Sequence, residues 1–99
     1  MMTQSWNDYP KGVEVKPGGF DEVNIVYDGL LSRSGADLVF LHYGLGDPRS
    51  WSNVNTIRMD KSFKGWEKTI RLQNNQITFC FKDSASNWDN NNGFNWTIR

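Results

Sequence analysis

The chain is predicted to fold as an all-β protein, an antiparallel β-sandwich of two sheets. Apolar and polar residues alternate in several short segments, with Gly, Pro, Asn and Asp between them, as in strands joined by turns. No segment places apolar residues at i, i+3, i+4 and i+7 over three turns, so we expect no helix of consequence. The 99 residues are enough for one domain with one core.

Six to eight short strands are expected. In chain order they lie at 13–15, 23–27, 38–43, 52–59, 66–72, 77–81 and 94–98. Residues 32–35 are polar and indicate a loop. A second loop is expected at 44–50, since two Gly and a Pro cannot sustain a β-ladder. Asn74-Asn75 predicts a hairpin turn, because Asn tolerates positive φ.

The domain is expected to span residues 11–99, with residues 1–10 as an N-terminal arm. The first ten residues are polar and resemble no signal peptide, and no apolar run is long enough to span a bilayer. We therefore expect a cytoplasmic protein if the chain is complete, and an extracellular one if it is a module of a larger secreted enzyme. Cys80 is the single Cys, so no internal disulfide is possible.

Charge and composition narrow the function. The chain carries 11 basic and 11 acidic residues, a balance that does not favour nucleic acid. Five Trp are present among 99 residues, more than a core of this size needs, so some are expected at the surface. Trp66 and Trp96 lie in strand patterns and are expected to pack in the core or at a sheet edge.

Trp88 lies in a run of Asn, Asp, Ser and Gly that begins at Lys82 and ends at Trp96. It could fold inward and close one end of the sandwich. Alternatively, an exposed indole ringed by neutral amides suits a ligand with apolar faces and hydroxyl edges, which describes a sugar ring. Aromatic contacts contribute roughly 0.5–1.5 kcal/mol beyond the area they bury.

Two further residues are candidates for the same surface. Trp51 shares the parity of Asn53 and Asn55, which favours an outward face, although packing across a sheet edge explains it equally well. His42 points away from the core if Leu41 and Tyr43 point into it. A lone His without a neighbouring Cys or second His does not indicate a transition-metal site, and we expect no metal and no cofactor.

The sequence does not favour an enzyme. Glycoside hydrolysis needs two facing carboxyls, one with a raised pKa; Asp47, Asp83 and Asp89 lie in expected loops without an apolar setting. A β-sandwich that binds a partner protein through surface Trp remains an alternative. A single-strand nucleic-acid binder is a third, and the zero net charge counts against it.

The segment from Phe81 to Trp96 resembles the starch-binding carbohydrate-binding modules of families twenty-five and fifty-three. The shared pattern is aromatic-X-Asp, a short polar loop, then Asn-Trp-Asp-X-Asn and a final Asn-aromatic. Leu41-His42-Tyr43-Gly44, Trp51 and the block 65–70 resemble further family segments in the same order. Trp96 stands where Tyr is usual, which fits a packing role.

The resemblance implies an immunoglobulin-like β-sandwich that binds α-1,4-glucan (starch, glycogen or maltooligosaccharides) without catalysis. It places the binding platform on His42, Trp51 and Trp88. It also implies that Lys82, Asn87, Asn90 and Asp47 bind sugar hydroxyls. Asp89 and Asn91 are expected mainly to hold their loop through Asx-type hydrogen bonds. The expected partner is an α-glucan, with a separate or fused glucan-active enzyme, and neither nucleic acid nor a membrane.

Overall fold

Two antiparallel sheets pack face to face, which confirms the predicted all-β sandwich. The computed structural model describes residues 5–19, 21–46, 51–71 and 76–98. Within these residues the strands are Trp6–Asp8 (β1), Val13–Pro17 (β2), Glu22–Tyr27 (β3), Val39–Leu45 (β4), Ser52–Arg58 (β5), Asp60–Ser62 (β6), Gly65–Arg71 (β7), Ile77–Asp83 (β8), Trp88–Asp89 (β9) and Trp96–Ile98 (β10).

Helical structure is confined, among the described residues, to two single turns. A 3-10 turn covers Tyr9–Lys11, and a short α-helix, α1, covers Leu30–Arg33. The expectation of a loop at 32–35 is therefore wrong at its start, because α1 ends inside that segment. No helix in the described part of the chain has the length and apolar character needed to cross a membrane.

The first sheet has the strand order β1-β2-β3-β7-β6, and the second has the order β10-β8-β4-β5 with β9 paired to the end of β8. The chain crosses between the sheets after β3, after β5 and after β7. The crossing through α1 brings residues 30–37 to the end of the sandwich where β4 begins and β8 ends.

The core follows from the alternation in the sequence. The inward-facing residues of both sheets are buried. The largest fully buried side chains of the core are Tyr27, Phe79 and Phe81. Phe81 stacks on Tyr27 with ring centroids 4.0 Å apart. Trp66 and Trp96 are each 4% exposed, which confirms that they pack in the core.

Part of the segment that we set apart as an N-terminal arm belongs to the sandwich. Trp6–Asp8 pairs with β2 and forms an edge of the first sheet. Trp6 packs against the core, with its ring centroid 6.4 Å from that of Phe79. The indole Nε1 of Trp96 donates to Asp8 Oδ2 at 3.1 Å, so this edge is tied to the second sheet.

The structure corrects further loop predictions. Gly44 and Leu45 belong to β4, where they pair with Thr78 and Ile77 of β8, because a strand flanked on both sides tolerates a Gly that gains ladder hydrogen bonds. The loops expected at Asp83 and Asp89 are also wrong, because Asp83 ends β8 and pairs with Val39, while Trp88 and Asp89 form β9 and Asp89 pairs with Phe81. The predicted turn at Asn74-Asn75 and residues 47–50 lie outside the described residues.

Candidate functional site

The outer face of the second sheet carries the candidate site, and His42 lies at its centre. Leu41 is fully buried in the core, while His42 points to the opposite face of β4. A hydrogen bond of 2.7 Å joins His42 Nδ1 to Thr56 Oγ1 on the neighbouring strand β5. This bond fixes the orientation of the imidazole ring and presents its other nitrogen, Nε2, away from Thr56.

Trp51 lies beside His42, with ring centroids 5.5 Å apart and planes at 85°. Gly44 makes room for this indole. A Cβ on Gly44 would lie 2.8 Å from the Ser52 carbonyl oxygen and 3.3 Å from Trp51 Cε3. The absence of a side chain at residue 44 therefore lets Trp51 lie close to the sheet.

A break in the β4–β5 register decides which face Trp51 occupies. Asn55 pairs with Tyr43, whose side chain faces the core, and a regular strand would put Trp51 on that same face. The register shifts between Tyr43 and Leu45, and Asn53 adopts φ 50°. This irregularity reverses the parity. Trp51 thus lies on the same face as His42, as predicted. The cause is the register shift, and not the shared parity with Asn53 and Asn55 on which the prediction rested.

Trp88 completes the cluster from the other side of His42. Its ring centroid lies 5.1 Å from that of the imidazole, again with planes at 85°. Trp88 is 46% exposed, in contrast to the 4% of each core Trp, so it does not close the end of the sandwich. We call the surface formed by Trp51, His42 and Trp88 the aromatic platform.

A buried tyrosine anchors the strand that carries Trp88. The Tyr27 hydroxyl donates to Asp89 Oδ2 at 2.6 Å and accepts the Leu31 backbone N–H at 3.0 Å. Burial, and secondly the bond to Asp89, raise the pKa of Tyr27 well above its usual range, so the hydroxyl stays protonated. Asp89 thereby supports the loop, the role that we expected for it.

Asp83 organises the turn that leads to Trp88, a role that sequence reasoning missed. Its Oδ1 accepts the backbone N–H groups of Ala85 and Asn87, at 2.9 and 2.8 Å. Its Oδ2 accepts from Asn87 Nδ2 at 3.0 Å. The Asn87 side chain, then its backbone N–H, hold the pKa of Asp83 below its usual value. An Asp followed by small polar residues is the local signal for such a turn.

The amides after Trp88 also support their own loop. Asn91 Nδ2 donates to the Asn95 carbonyl at 2.9 Å, as expected for a supporting residue. Asn90 Oδ1 accepts the Gly93 N–H at 3.0 Å. Asn91, Asn92 and Asn95 all adopt φ near +57°, a left-handed conformation that Asn tolerates better than most residues. Asn87 and Asn90 thus each commit one side-chain atom to the fold.

Lys82 lies next to the platform. Its Nζ is 5.8 Å from the Trp88 ring centroid and 4.9 Å from that of Phe40, and it donates to the Asp83 carbonyl at 3.0 Å. Desolvation, and secondly the Lys82 charge, lower the pKa of His42 below 6.5. At neutral pH the imidazole is therefore uncharged and able both to donate and to accept.

Cys80 lies on this same outer face but contributes no reactive group. It pairs with His42 across the β4–β8 ladder and is 3% exposed. Burial raises the pKa of its thiol to about 12, so the thiolate form is scarce at neutral pH.

The fold therefore brings together four of the seven predicted ligand-binding residues: His42, Trp51, Trp88 and Lys82. Asn87 borders this group, and Asn90 lies in the turn after β9. Asp47 lies outside the described residues. Gly44, Thr56, Asp83 and Tyr27 are the positioning residues that sequence reasoning did not single out.

A small β-sandwich with exposed indoles beside short polar loops is an arrangement typical of the class of carbohydrate-binding modules. A sequence model of starch/carbohydrate-binding module family 53 matches residues 23–81, more than half of the chain, and the chain belongs to this family. The matched segment contains His42 and Trp51 and ends just before Lys82.

An α-amylase from Clostridium acetobutylicum is 42% identical to the chain over 77 residues. The alignment covers 75% of this chain and 9% of that enzyme. The chain thus corresponds to a small part of this relative. No solved structure matches the chain.

Proposed function

We propose that the chain binds α-1,4-glucan without catalysis, through the aromatic platform. The observation that carries this proposal is the position of two partly exposed indoles on either side of His42, each within 5.5 Å of its ring centroid. The apolar face of a glucose ring can stack on each indole. Membership of the starch/carbohydrate-binding family supports the same ligand class.

The polar groups around the platform suit sugar hydroxyls. The neutral imidazole offers Nε2, and Lys82 Nζ lies within 5.8 Å of the Trp88 ring. Asn87 keeps its side-chain oxygen as an acceptor while its Nδ2 is bound to Asp83. Because each hydroxyl exchanges a bond to water for a bond to protein, the net gain is small. We expect dissociation constants from micromolar to millimolar.

The carboxylates near the site argue against glycoside hydrolysis. A catalytic acid needs a raised pKa, whereas the pKa of Asp83 is lowered by the N–H groups that it accepts. Asp89 is bound to the Tyr27 hydroxyl at 2.6 Å and faces the core side of β9. The bonds of both carboxylates hold the loop around Trp88 in place.

A glucan-active enzyme is the proposed functional partner. The amylase relative matches the chain over a small fraction of its length, as a binding module attached to a catalytic domain would. Maltooligosaccharides, starch and glycogen all offer the same α-1,4-linked rings, so we expect the platform to bind each of them.

Calorimetric titration with maltoheptaose tests the proposal. Trp51→Ala and Trp88→Ala should each reduce binding below detection, with unchanged circular dichroism. Phe63→Ala is the matched control, since Phe63 is an aromatic residue 95% exposed on the β6–β7 hairpin of the other sheet. Cello-oligosaccharides, with β-linkages, should give no heat. Wild-type affinity in both Trp variants would refute the platform assignment.

A further inference from the structure

We infer that a groove at the end of the sandwich holds further glucose units of the same chain, beyond Trp88. The groove has a volume of about 510 Å³ and lies between two segments: residues 30–37, which begin with α1, and residues 83–88, which join β8 to β9. Trp88 is part of its wall and also part of the aromatic platform. This inference rests on the proposed function and extends it to a preference for long α-glucan chains.

The groove continues the direction of the platform. Going along β4 towards its first residue, Gly44 lies beside Trp51, and His42 comes next. Phe40 follows and pairs with Lys82 on β8. Lys82 in turn pairs with Trp88 on β9. One residue further, Val39 pairs with Asp83, and the groove opens there, past the ends of both strands. A glucan that stacks on Trp51 and Trp88 in this direction therefore enters the groove next.

The walls of the groove offer both apolar contact and hydrogen-bonding groups, which a sugar ring needs. Leu30, 60% exposed, and Ala36 supply apolar contact on one side. Asp37, Ser84 and Asn87 supply oxygen and nitrogen atoms. Ser84 Oγ donates to Asp37 Oδ1 at 2.8 Å, which fixes the carboxylate and leaves its Oδ2 to accept from a hydroxyl.

The charge of the groove selects against other ligands. Two carboxylates, Asp37 and Asp83, line it, and none of its described lining residues is Lys or Arg. A phosphate or an acidic peptide would be repelled, whereas an uncharged polyol is not. The groove volume lies in the range of about 300–1,000 Å³ that is typical of small-molecule sites, enough for part of an oligosaccharide.

Small residues keep the groove open. Ser34, Gly35 and Ala36 form one rim, and Ser84 with Ala85 forms the other. A Cβ on Gly35 would meet no atom within 4 Å. Both Ser34 and Ala85 are exposed, so a longer side chain at either residue can fill the groove without disturbing the core.

The test compares maltotriose with maltoheptaose by calorimetric titration of wild type, Ser34→Gln and Ala85→Gln. Ser5→Gln is the matched control, since Ser5 is exposed next to β1 and does not line the groove. We expect the two groove variants to bind maltoheptaose about tenfold more weakly than wild type and to bind maltotriose within about twofold of it. A longer sugar can also bind the platform in more positions along its length, which raises its apparent affinity. This statistical gain is the same for wild type, both groove variants and the control.

Amide chemical shifts give a second measurement that does not depend on the variants folding. In wild type, maltoheptaose should shift the amides of 34–37 and 84–87, and maltotriose should leave those of 34–37 unchanged. The inference is overturned if the groove variants keep wild-type maltoheptaose affinity or if these amides do not respond. In that case, binding that still depends on Trp51 and Trp88 preserves the proposed function. A wild type that binds neither sugar refutes both.

Discussion

Gly44→Ala probes how closely the platform depends on one missing side chain. The new Cβ would lie 2.8 Å from the Ser52 carbonyl oxygen, 3.0 Å from Val54 Cγ2 and 3.3 Å from Trp51 Cε3. The nearest atom is backbone, so β5 must move away from β4. Trp51 is directly connected to Ser52 and must move with it.

The change in the free energy of unfolding of Gly44→Ala is the difference between two opposing effects. Overpacking costs typically about 1–3 kcal/mol, while replacing a strand Gly with Ala recovers roughly 0.5–1 kcal/mol of backbone entropy. The free energy of unfolding should therefore fall by about 1 kcal/mol, and by at most about 2.5 kcal/mol, which lowers the melting temperature by about 4–8 °C per kcal/mol. Affinity for maltoheptaose should fall about tenfold, because the Trp51 indole leaves its position beside His42.

Urea unfolding and calorimetric titration measure the two effects separately. Gly19→Ala is the matched control, because the nearest atom to its new Cβ is Glu22 Oε1 at 3.0 Å, the end of a flexible side chain. That variant should keep both stability and affinity. If Gly44→Ala binds maltoheptaose as tightly as wild type, Gly44 does not position Trp51.

Two further predictions concern titratable groups around the platform. Tyr27→Phe removes a hydrogen bond to a carboxylate and leaves the buried Leu31 N–H without its acceptor, so urea unfolding should reveal a loss of about 2–4 kcal/mol. The pKa of Tyr27 is raised in the folded state. As the pH rises, Tyr27 therefore ionises in the unfolded state before it ionises in the folded state. Wild type should lose stability relative to Tyr27→Phe above pH 10.0, the ordinary tyrosine value. A constant difference in stability between the two proteins across this range would contradict the raised pKa of Tyr27. The pKa of His42 is lowered, so the affinity for maltoheptaose should stay constant from about pH 8 down to pH 6.5. It should weaken only at lower pH, because a charged imidazole would then have to be desolvated when the sugar binds. Titrations at a series of pH values, with His42→Gln as control, check this, and a midpoint at or above pH 6.5 would be inconsistent with a desolvated imidazole.

Much of the fold could be predicted because its signals are local. Val23, Ile25 and Tyr27 alternate with polar residues in the sequence, and all three are buried in β3. Period-two alternation places every second side chain on one face, so the core residues of such a strand can be read directly. The short strands β1, β6 and β9 were missed, since none of them contains two apolar residues in alternation.

The sequence by itself determined the all-β class, the surplus of Trp and the residues His42, Trp51 and Trp88 as candidates, because residue types and short spacings carry that information. The tertiary structure alone decided how they meet. The irregularity at Asn53 turns Trp51 onto the outer face, and the bond between Tyr27 and Asp89 ties β9 to the core. Both depend on contacts between residues far apart in the chain. Period-two alternation cannot reveal where a register shifts, and a Tyr–Asp pair 62 residues apart has no local signal.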